Sequence, residues 1–276
     1  MTRADHVILP SQNHAAAAPL SLSATDKLAV GVDLGTAFLV LVVLDEKLQP
    51  VVGEYQFAQV VRDGLVVDFI GAVDRLREMK QRVEQRLGIP LTSAASGYPP
   101  GVAQVEVRAT ANVVEAAGMT CTGLVDEPSA ANNLLHVQNG VIVDVGGGTT
   151  GIAVVKDGQV VFTADEPTGG THFSLVIAGA MGISFEEAEE LKRNPAEQPR
   201  LFPLVRPVME KVANIIARNI QGKAVERVYL VGGSSAFRGM AGVIQEYTGL
   251  PTEVPSRPLF VTPIGIAMHN AKAWET

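Results

Sequence analysis

Short apolar runs alternate with amphipathic segments along most of the chain. Leu28–Val32 and Phe38–Leu44 are apolar runs of strand length. Within Asp68–Leu87, apolar residues recur every three or four positions, which predicts a helix that ends at Gly88. A second helix is predicted over residues 102–117. This alternation of strands and helices is typical of an α/β fold.

One pattern occurs twice. Val30–Gly35 matches Val141–Gly146, because each is an apolar strand that ends in Asp and a glycine turn and is followed by a returning strand. Solenoid repeats recur every ~20–50 residues, so two distant copies do not form one. The repeat predicts two related α/β domains whose matching turns meet across a cleft. We place a flexible N-terminal arm at 1–26, a first domain at 27–138 and a second at 139–276.

Composition and charge exclude several classes of protein. The 276 residues carry a net charge of −7, which argues against broad nucleic-acid binding. The longest apolar run, Leu34–Leu44, is shorter than the roughly 20 residues of a membrane span. The single cysteine, Cys121, allows no internal disulfide and is interpreted as a packing residue rather than a nucleophile. We therefore expect a cytoplasmic protein without a nucleic-acid or membrane partner.

The glycine-rich turn after the second repeat is the strongest chemical signal. Asp144 is followed by Val145 and then by three successive glycines and two threonines, over residues 146–150. Each glycine costs roughly 0.5–1 kcal/mol to order relative to Ala, and a hairpin needs only one or two. Close approach of a phosphate to the backbone is a good reason for such a run.

The matching turn of the first repeat is a weaker signal. Gly35 allows close backbone approach, Thr36 adds a hydroxyl, and Asp33 is placed to hold the water shell of a metal. An ordinary hairpin turn with a capping Asp explains the same residues.

Three further segments have two interpretations each. Glu127 either caps the helix that begins near Ser129 or orients an attacking water. Gly232–Ser234 either leaves a flat backbone surface for a purine or is a plain turn. Gly169 and Gly170 likewise either supply backbone donors or form a simple glycine turn.

Taken in order, these segments resemble the actin superfamily. The segments at Asp33, Glu127, Asp144 and Gly232, with the final helix, are similar to its first phosphate loop, connecting helix, second phosphate loop, adenosine loop and closing helix. Actin, DnaK-type chaperones, MreB, FtsA and sugar kinases belong to it. The resemblance implies an α/β protein with two actin-like (ribonuclease-H-like) subdomains around a nucleotide cleft.

The resemblance also implies a site for ATP or ADP with Mg²⁺. Asp33 and Asp144 would flank the ion, mostly through water, and Glu127 would complete the catalytic set. Glu189 and Lys192 would contact the ribose and adenine, although a solvated helix face explains them equally well. The implied nucleotide-binding residues are Gly35, Thr36, Gly146, Gly147, Gly148, Thr149, Thr150, Gly169, Gly170, Glu189, Lys192, Gly232, Gly233 and Ser234.

Within the superfamily, the chain most resembles a chaperone-like family of ethanolamine utilisation. Val61–Gly64, Asp144–Gly151 and Asp165-Glu166 carry this closer similarity. It implies an ATP-binding, weakly ATP-hydrolysing accessory protein that assists ethanolamine ammonia-lyase or components of a bacterial microcompartment, with which it would associate. The alternatives are a nucleotide-sensing scaffold without hydrolysis and an MreB- or FtsA-like filament protein.

The chain also departs from the superfamily pattern. Almost nothing lies between Glu54 and Arg62, and Gly170–Arg227 is short, so the two lid subdomains are expected to be missing or vestigial. The lysine that the chaperones use has no match, and Gly151 stands where their loop carries Asp. These departures favour nucleotide binding over turnover.

Overall fold

The chain forms two compact units. A computed structural model describes residues 8–11, 27–62 and 65–274. The first unit comprises Met1–Leu135 together with Phe260–Thr276, and the second comprises His136–Leu259. The C-terminal segment therefore belongs by its contacts to the first unit, whereas the expected second domain included all of 139–276.

The first unit contains a six-stranded sheet in the order β1-β4-β3-β2-β7-β8. Neighbours β2, β3 and β4 are antiparallel, while β1, β7 and β8 join in parallel. The remaining strands, β5 and β6, form a separate hairpin. The strands are β1 (Ile8–Pro10), β2 (Ala29–Leu34), β3 (Phe38–Leu44), β4 (Pro50–Phe57), β5 (Val61–Arg62), β6 (Leu65–Val66), β7 (Ser93–Tyr98) and β8 (Thr120–Asp126).

Helices cover both faces of this sheet. They are α1 (Phe69–Leu87), α2 (Gln104–Ala116), α3 (Glu127–Leu135) and, from the end of the chain, α8 (Val261–Ala271). Asp68 caps α1 by accepting the Gly71 N–H, and Gly88 ends the helix in the left-handed conformation at φ 72°. Cys121 packs against the apolar core formed with α1 and α2, and burial raises the pKa of its thiol, in agreement with a packing role.

Small residues let α8 approach the sheet closely. A Cβ atom at Gly31 of β2 would lie 2.5 Å from the backbone nitrogen of Ala267. The side chain of Asn270 accepts the Val30 N–H at 2.8 Å and donates to the Thr122 hydroxyl at 2.6 Å. These contacts explain why α8 belongs to the first unit although it lies at the far end of the chain.

The N-terminal segment differs in part from the sequence-based expectation. Residues 8–10, expected to lie in a flexible arm, form a strand that pairs with β4. The rest of the expected arm, 1–7 and 12–26, lies outside the described residues, as do Asp63 and Gly64 of the segment that carried part of the resemblance.

The second unit contains a five-stranded sheet in the order β11-β10-β9-β12-β13. Neighbours β9, β10 and β11 are antiparallel, and β12 and β13 continue the sheet in parallel. The strands are β9 (Gly140–Val145), β10 (Thr150–Lys156), β11 (Gln159–Glu166), β12 (Val228–Val231) and β13 (Thr252–Glu253). The helices are α4 (Gly170–Met181), α5 (Phe185–Arg193), α6 (Gln198–Ile220) and α7 (Met240–Thr248).

Both units share one local design, as the internal repeat predicts. In each, an antiparallel hairpin (β2–β3 or β9–β10) is extended by a parallel strand beside its first member. Asp33 and Asp144 lie near the ends of the first strands, just before the hairpin turns. Only residues 58–60 separate β4 from β5, so no subdomain is inserted at that point.

Candidate functional site

The β9–β10 turn of the second unit presents a row of backbone donors. The Gly146 N–H closes the turn by donating to the Thr149 carbonyl at 3.0 Å. Within the described ranges, the N–H groups of Gly147, Gly148 and Thr149 form no hydrogen bond. Successive unpaired N–H groups in a turn make a concave site that suits an anion.

Carbonyl contacts hold this turn in place. The Gly146 carbonyl accepts the Gly170 N–H at 2.9 Å and the Ser234 hydroxyl at 2.8 Å. The Gly147 carbonyl accepts the Thr171 N–H at 2.7 Å. The first two N–H groups of α4 therefore donate to carbonyls of the β9–β10 turn, and these carbonyls point toward the helix. This corrects one expectation, because the Gly170 N–H supports the loop instead of serving a ligand.

Close packing explains why glycine occupies the neighbouring turns. A Cβ atom at Gly169 would lie 2.7 Å from the Gly147 carbonyl oxygen, and one at Gly170 would lie 2.1 Å from the Ser234 hydroxyl. The structure thus brings together the three glycine segments of the second unit. This packing by itself requires glycine at 169 and 170, and a role of the two in binding a nucleotide stays a prediction.

Gly232 adjoins the carboxylate of Asp144. Its φ is +84°, and a Cβ atom there would lie 2.2 Å from Oδ1 of Asp144. Asp144 itself is only 8% exposed. The Gly232 N–H donates to the Pro258 carbonyl at 3.0 Å, and a short 3-10 helix, Gly233–Ala236, follows. Any residue other than glycine at 232 would displace the carboxylate that the sequence assigns to magnesium.

Thr150 supports the site through a buried contact. Its side chain is fully buried, and its hydroxyl donates to the Thr168 carbonyl at 2.6 Å. The expectation that Thr150 contacts a nucleotide is corrected accordingly, since this hydroxyl is committed inside the unit. The adjacent Gly151 lies directly opposite Asp144 in the β9–β10 register.

Glu189 and Lys192 form an internal ion pair rather than a solvated helix face. Glu189 is 3% exposed and accepts the Ser174 hydroxyl at 2.5 Å as well as the Lys192 ammonium. Lys192 also donates to the Gly170 carbonyl at 3.0 Å. Burial lowers the pKa of Lys192, and Glu189 opposes this shift. The pair ties α5 to the start of α4, beside the glycine loops.

The β2–β3 turn of the first unit repeats the geometry of the β9–β10 turn. The Gly35 N–H donates to the Phe38 carbonyl at 3.0 Å, as Gly146 does to Thr149. A Cβ atom at Gly35 would lie 2.8 Å from that carbonyl oxygen. Asp33 and Thr36 are both partly exposed on this turn. The two turns of the internal repeat thus close in the same way, and phosphate binding at the β2–β3 turn stays a prediction.

The capping interpretation of Glu127 is wrong, because its neighbour caps the helix. Oδ1 of Asp126 accepts the Ser129 N–H at 3.0 Å, which is the contact of an N-cap. Glu127 is the first residue of α3, and its Cγ would lie 3.6 Å from a Cβ atom at Gly97, at the end of β7. Asp126 is a functional neighbour that the sequence-based prediction did not include, although an Asp three residues before Ser129 is a recognisable cap signal.

Each unit taken by itself carries chemistry that suits a phosphate or a hard cation. The first unit has the carboxylates of Asp33 and Glu127 and the second has that of Asp144, and carboxylate oxygens are the ligands that Mg²⁺ prefers. The unpaired N–H groups of the β9–β10 turn suit phosphate oxygens. In the part of the chain that the structure describes, no three His, Cys, Asp or Glu side chains cluster in a way that could hold a metal ion. A cation here would be held largely by water and ligand oxygens, as is usual for Mg²⁺.

Sequence comparison identifies the family. The chain is 45% identical over 239 residues to the ethanolamine utilization protein EutJ of Salmonella typhimurium, a match that covers 86% of this chain and 84% of that protein. The chain belongs to the EutJ family. The crystal structure of EutJ from Carboxydothermus hydrogenoformans, at 46% identity, matches with a TM-score of 0.85 over 91% of both chains.

More distant relatives confirm the actin-like fold. A family model described as Type IV pilus assembly protein PilM matches residues 116–262, so this half of the chain belongs to that family too. The crystal structure of MreB 5 of Spiroplasma citri bound to AMPPNP matches with a TM-score of 0.70 at 16% identity, over 90% of this chain and 97% of that one. None of the helices in the described ranges has the length and apolar character that a membrane crossing requires.

Proposed function

We propose that the chain is an adenine-nucleotide-binding, chaperone-like accessory protein of ethanolamine utilisation. The observation that carries this proposal is the β9–β10 turn. Three unpaired backbone donors lie in a row there, and contacts from Gly170, Thr171 and Ser234 hold the turn in place. A cradle fixed before its ligand arrives loses little entropy on binding, which suits phosphate recognition.

Each residue of the site has a defined role in this proposal. Gly147–Thr149 and the turn at Gly35 and Thr36 bind the phosphates, and Gly232–Ser234 lies under the adenosine. Asp33 and Asp144 hold the water shell of Mg²⁺, which when bound neutralises charge on the phosphates. Glu127, which is not the helix cap, orients a water for slow hydrolysis. Membership of the EutJ family supplies the cellular context.

The partner class follows from the same context. We propose that the nucleotide state controls contact with ethanolamine ammonia-lyase or with a microcompartment protein in the cytoplasm. Sedimentation velocity of the chain with each purified candidate, with and without Mg-ATP, tests this contact. If no candidate changes the sedimentation coefficient of the chain, the accessory role is overturned. Nucleotide binding is tested by a separate experiment.

A second candidate function is a nucleotide sensor without hydrolysis. Gly151 lies opposite Asp144 in the register, at the position where the chaperone loop carries an Asp. A glycine there removes one carboxylate from the neighbourhood of the phosphate turn. This observation favours binding without turnover.

Calorimetric titration with Mg-ATP and Mg-ADP is the first experiment. We expect micromolar to millimolar binding by the wild type and its loss in Gly147→Val, whose side chain obstructs close approach of a phosphate to the turn. Gly158→Asn is the matched control, because it lies in the β10–β11 turn at φ +75°, which Asn tolerates. Wild type without binding, or Gly147→Val with unchanged binding, would overturn the proposal.

Hydrolysis is tested by the phosphate release of Glu127→Gln. If Glu127 orients the water, turnover falls at least about tenfold while nucleotide affinity is kept. Glu106→Gln, a partly exposed position in the first turn of α2, is the control and keeps full turnover. Absence of turnover in the wild type would favour the sensor, whereas equal turnover in wild type and Glu127→Gln would overturn the role of Glu127 in hydrolysis.

A further inference from the structure

The edge strand β1 is attached to its sheet by one neighbour alone. It pairs in parallel with β4, with Ile8 opposite Gly53, Leu9 opposite Glu54 and Pro10 opposite Tyr55. All the other strand pairs of this sheet form without it. Residues 12–28 connect it to β2. Removal of β1 would therefore break no other strand pairing.

A hollow in β4 receives the side chain of Ile8. Ile8 is 3% exposed although it belongs to an edge strand of three residues. The hollow exists because residue 53 is glycine, since a Cβ atom there would lie 2.9 Å from Cγ1 of Ile8. The glycine at position 53 thus leaves room for an apolar side chain at the residue that pairs with it.

A buried carboxylate next to the hollow recognises Ser11. Glu54 is fully buried, and its Oε1 accepts the Ser11 hydroxyl at 2.5 Å. The same carboxylate accepts Nε and Nη2 of Arg82 at 3.0 and 2.6 Å. The carboxylate is therefore paired from inside the unit by a guanidinium and from the edge by a hydroxyl. The β4 edge recognises isoleucine followed three residues later by a hydroxyl.

We propose that β1 is an exchangeable strand, so that residues 8–11 of one copy dock on the β4 edge of a second copy. Every copy carries both the segment and its acceptor, and strand addition to a sheet edge is a common way for chains to associate. A tethered segment competes with external ones at an effective concentration of order millimolar. Exchange therefore grows as the local concentration of the protein rises.

Disulfide trapping in the full chain tests both the pairing and the exchange. All variants carry Cys121→Ser, so that no natural thiol interferes. Parallel neighbours lie about 5 Å apart, within disulfide range, so oxidised Ile8→Cys/Gly53→Cys should form an intrachain bond when dilute. Its interchain fraction should rise with protein concentration. Without an intrachain bond in dilute solution, the β1–β4 pairing itself would be overturned.

A mixture of two single variants isolates the exchange. Ile8→Cys and Gly53→Cys, with tags of different size, should give a heterodimer at least about tenfold above the control pair. The control pairs Ile8→Cys with Val161→Cys, a 59% exposed position on the edge strand β11. A heterodimer yield equal to that of the control overturns strand exchange.

A competitor peptide tests the specificity of the acceptor. A synthetic peptide of residues 6–13 in excess should lower the heterodimer yield, and the same peptide with Ile8→Asp should not. Equal inhibition by both peptides would show that the edge does not recognise the isoleucine. Melting temperatures of the single variants close to that of the wild type confirm that the trapped chains are folded.

Discussion

At the scale of the residue, Asn270 links three elements of the first unit. It lies on α8, is 3% exposed, and bonds to the Val30 N–H of β2 and to the Thr122 hydroxyl of β8. A buried polar group that has lost its partner costs about 1–3 kcal/mol. The side-chain amide of Asn270 thus supplies hydrogen-bond partners that the surrounding apolar side chains cannot provide.

Replacing Asn270 with Ala should destabilise the protein strongly. The Val30 N–H would stay buried without its acceptor, so we expect a loss of about 2–3 kcal/mol in the free energy of unfolding. Urea denaturation measures it. Lys272→Ala, exposed just after the same helix, should stay within about 0.5 kcal/mol of wild type. Equal stability of the two variants would contradict the role of Asn270.

His269 should make stability depend on pH. Its Nδ1 is buried without a partner among the described residues, and burial, then Lys272, lower its pKa below the ordinary 6.5 while Asp126 opposes the shift. The unfolded chain therefore binds this proton more readily, so stability falls as pH drops below about 6.5. His269→Gln should weaken that dependence between pH 7 and 5.

The exposed His136 is the control for this measurement. His136→Asn keeps a residue that tolerates the positive φ of 53° at this position. It should show the same slope of unfolding free energy against pH as the wild type. If His136→Asn weakens this slope as much as His269→Gln does, the pH dependence comes from general surface charge and not from His269.

At the scale of the element, α8 and α3 cross at a contact between backbones. A Cβ atom at Gly265 would lie 1.8 Å from the Ala130 carbonyl oxygen. The helix α8 also approaches β2 closely, since a Cβ atom at Gly31 would lie 2.5 Å from the Ala267 nitrogen and the Pro263 carbonyl oxygen. Three elements therefore meet where side chains are absent, so the crossing depends on glycine rather than on interlocking apolar side chains.

Gly265→Ala and Gly179→Ala should change stability in opposite directions. At 265 the added methyl forces the helices apart, with a loss of about 1–3 kcal/mol. At 179, inside α4, nothing lies within 4 Å, and Ala is favoured over Gly in a helix by about 0.5–1 kcal/mol. Denaturant titration of both variants measures this. A change of the same sign in both would contradict the close crossing.

At the scale of the whole molecule, the first unit is discontinuous in sequence. Its sheet comes from the N-terminal half, and α8 comes from beyond the second unit. The second unit, His136–Leu259, is one continuous segment. The first unit can therefore be completed only after α8 has been made.

A chain that ends at Leu259 tests this organisation. Without α8, the Val30 N–H loses its acceptor, the side chain of Asn270. The apolar contacts of Ile266 with Ala95 and Val125 are lost as well. We expect hydrogen exchange to lose protection in β2, β7 and β8, while β9, β10 and β12 keep theirs. Loss confined to the second unit would instead support a domain boundary near residue 138.

Local sequence patterns alone predicted the α/β class, the repeated strand–Asp–glycine pattern, the glycine-rich turn and the absence of an insert after β4. These features are local, because periodicity and the backbone freedom of glycine are properties of neighbouring residues. The three-glycine run at 146–148 was recognisable for this reason.

Which residues face inward became clear from the folded structure. It placed α8 with the first unit, used the Gly170 N–H to hold a loop, and buried Thr150 and Glu189 in contacts with their own unit. It also docked residues 8–10 on β4. The physical reason is that burial and pairing depend on contacts between residues far apart in the chain, which leave no periodic trace in the sequence.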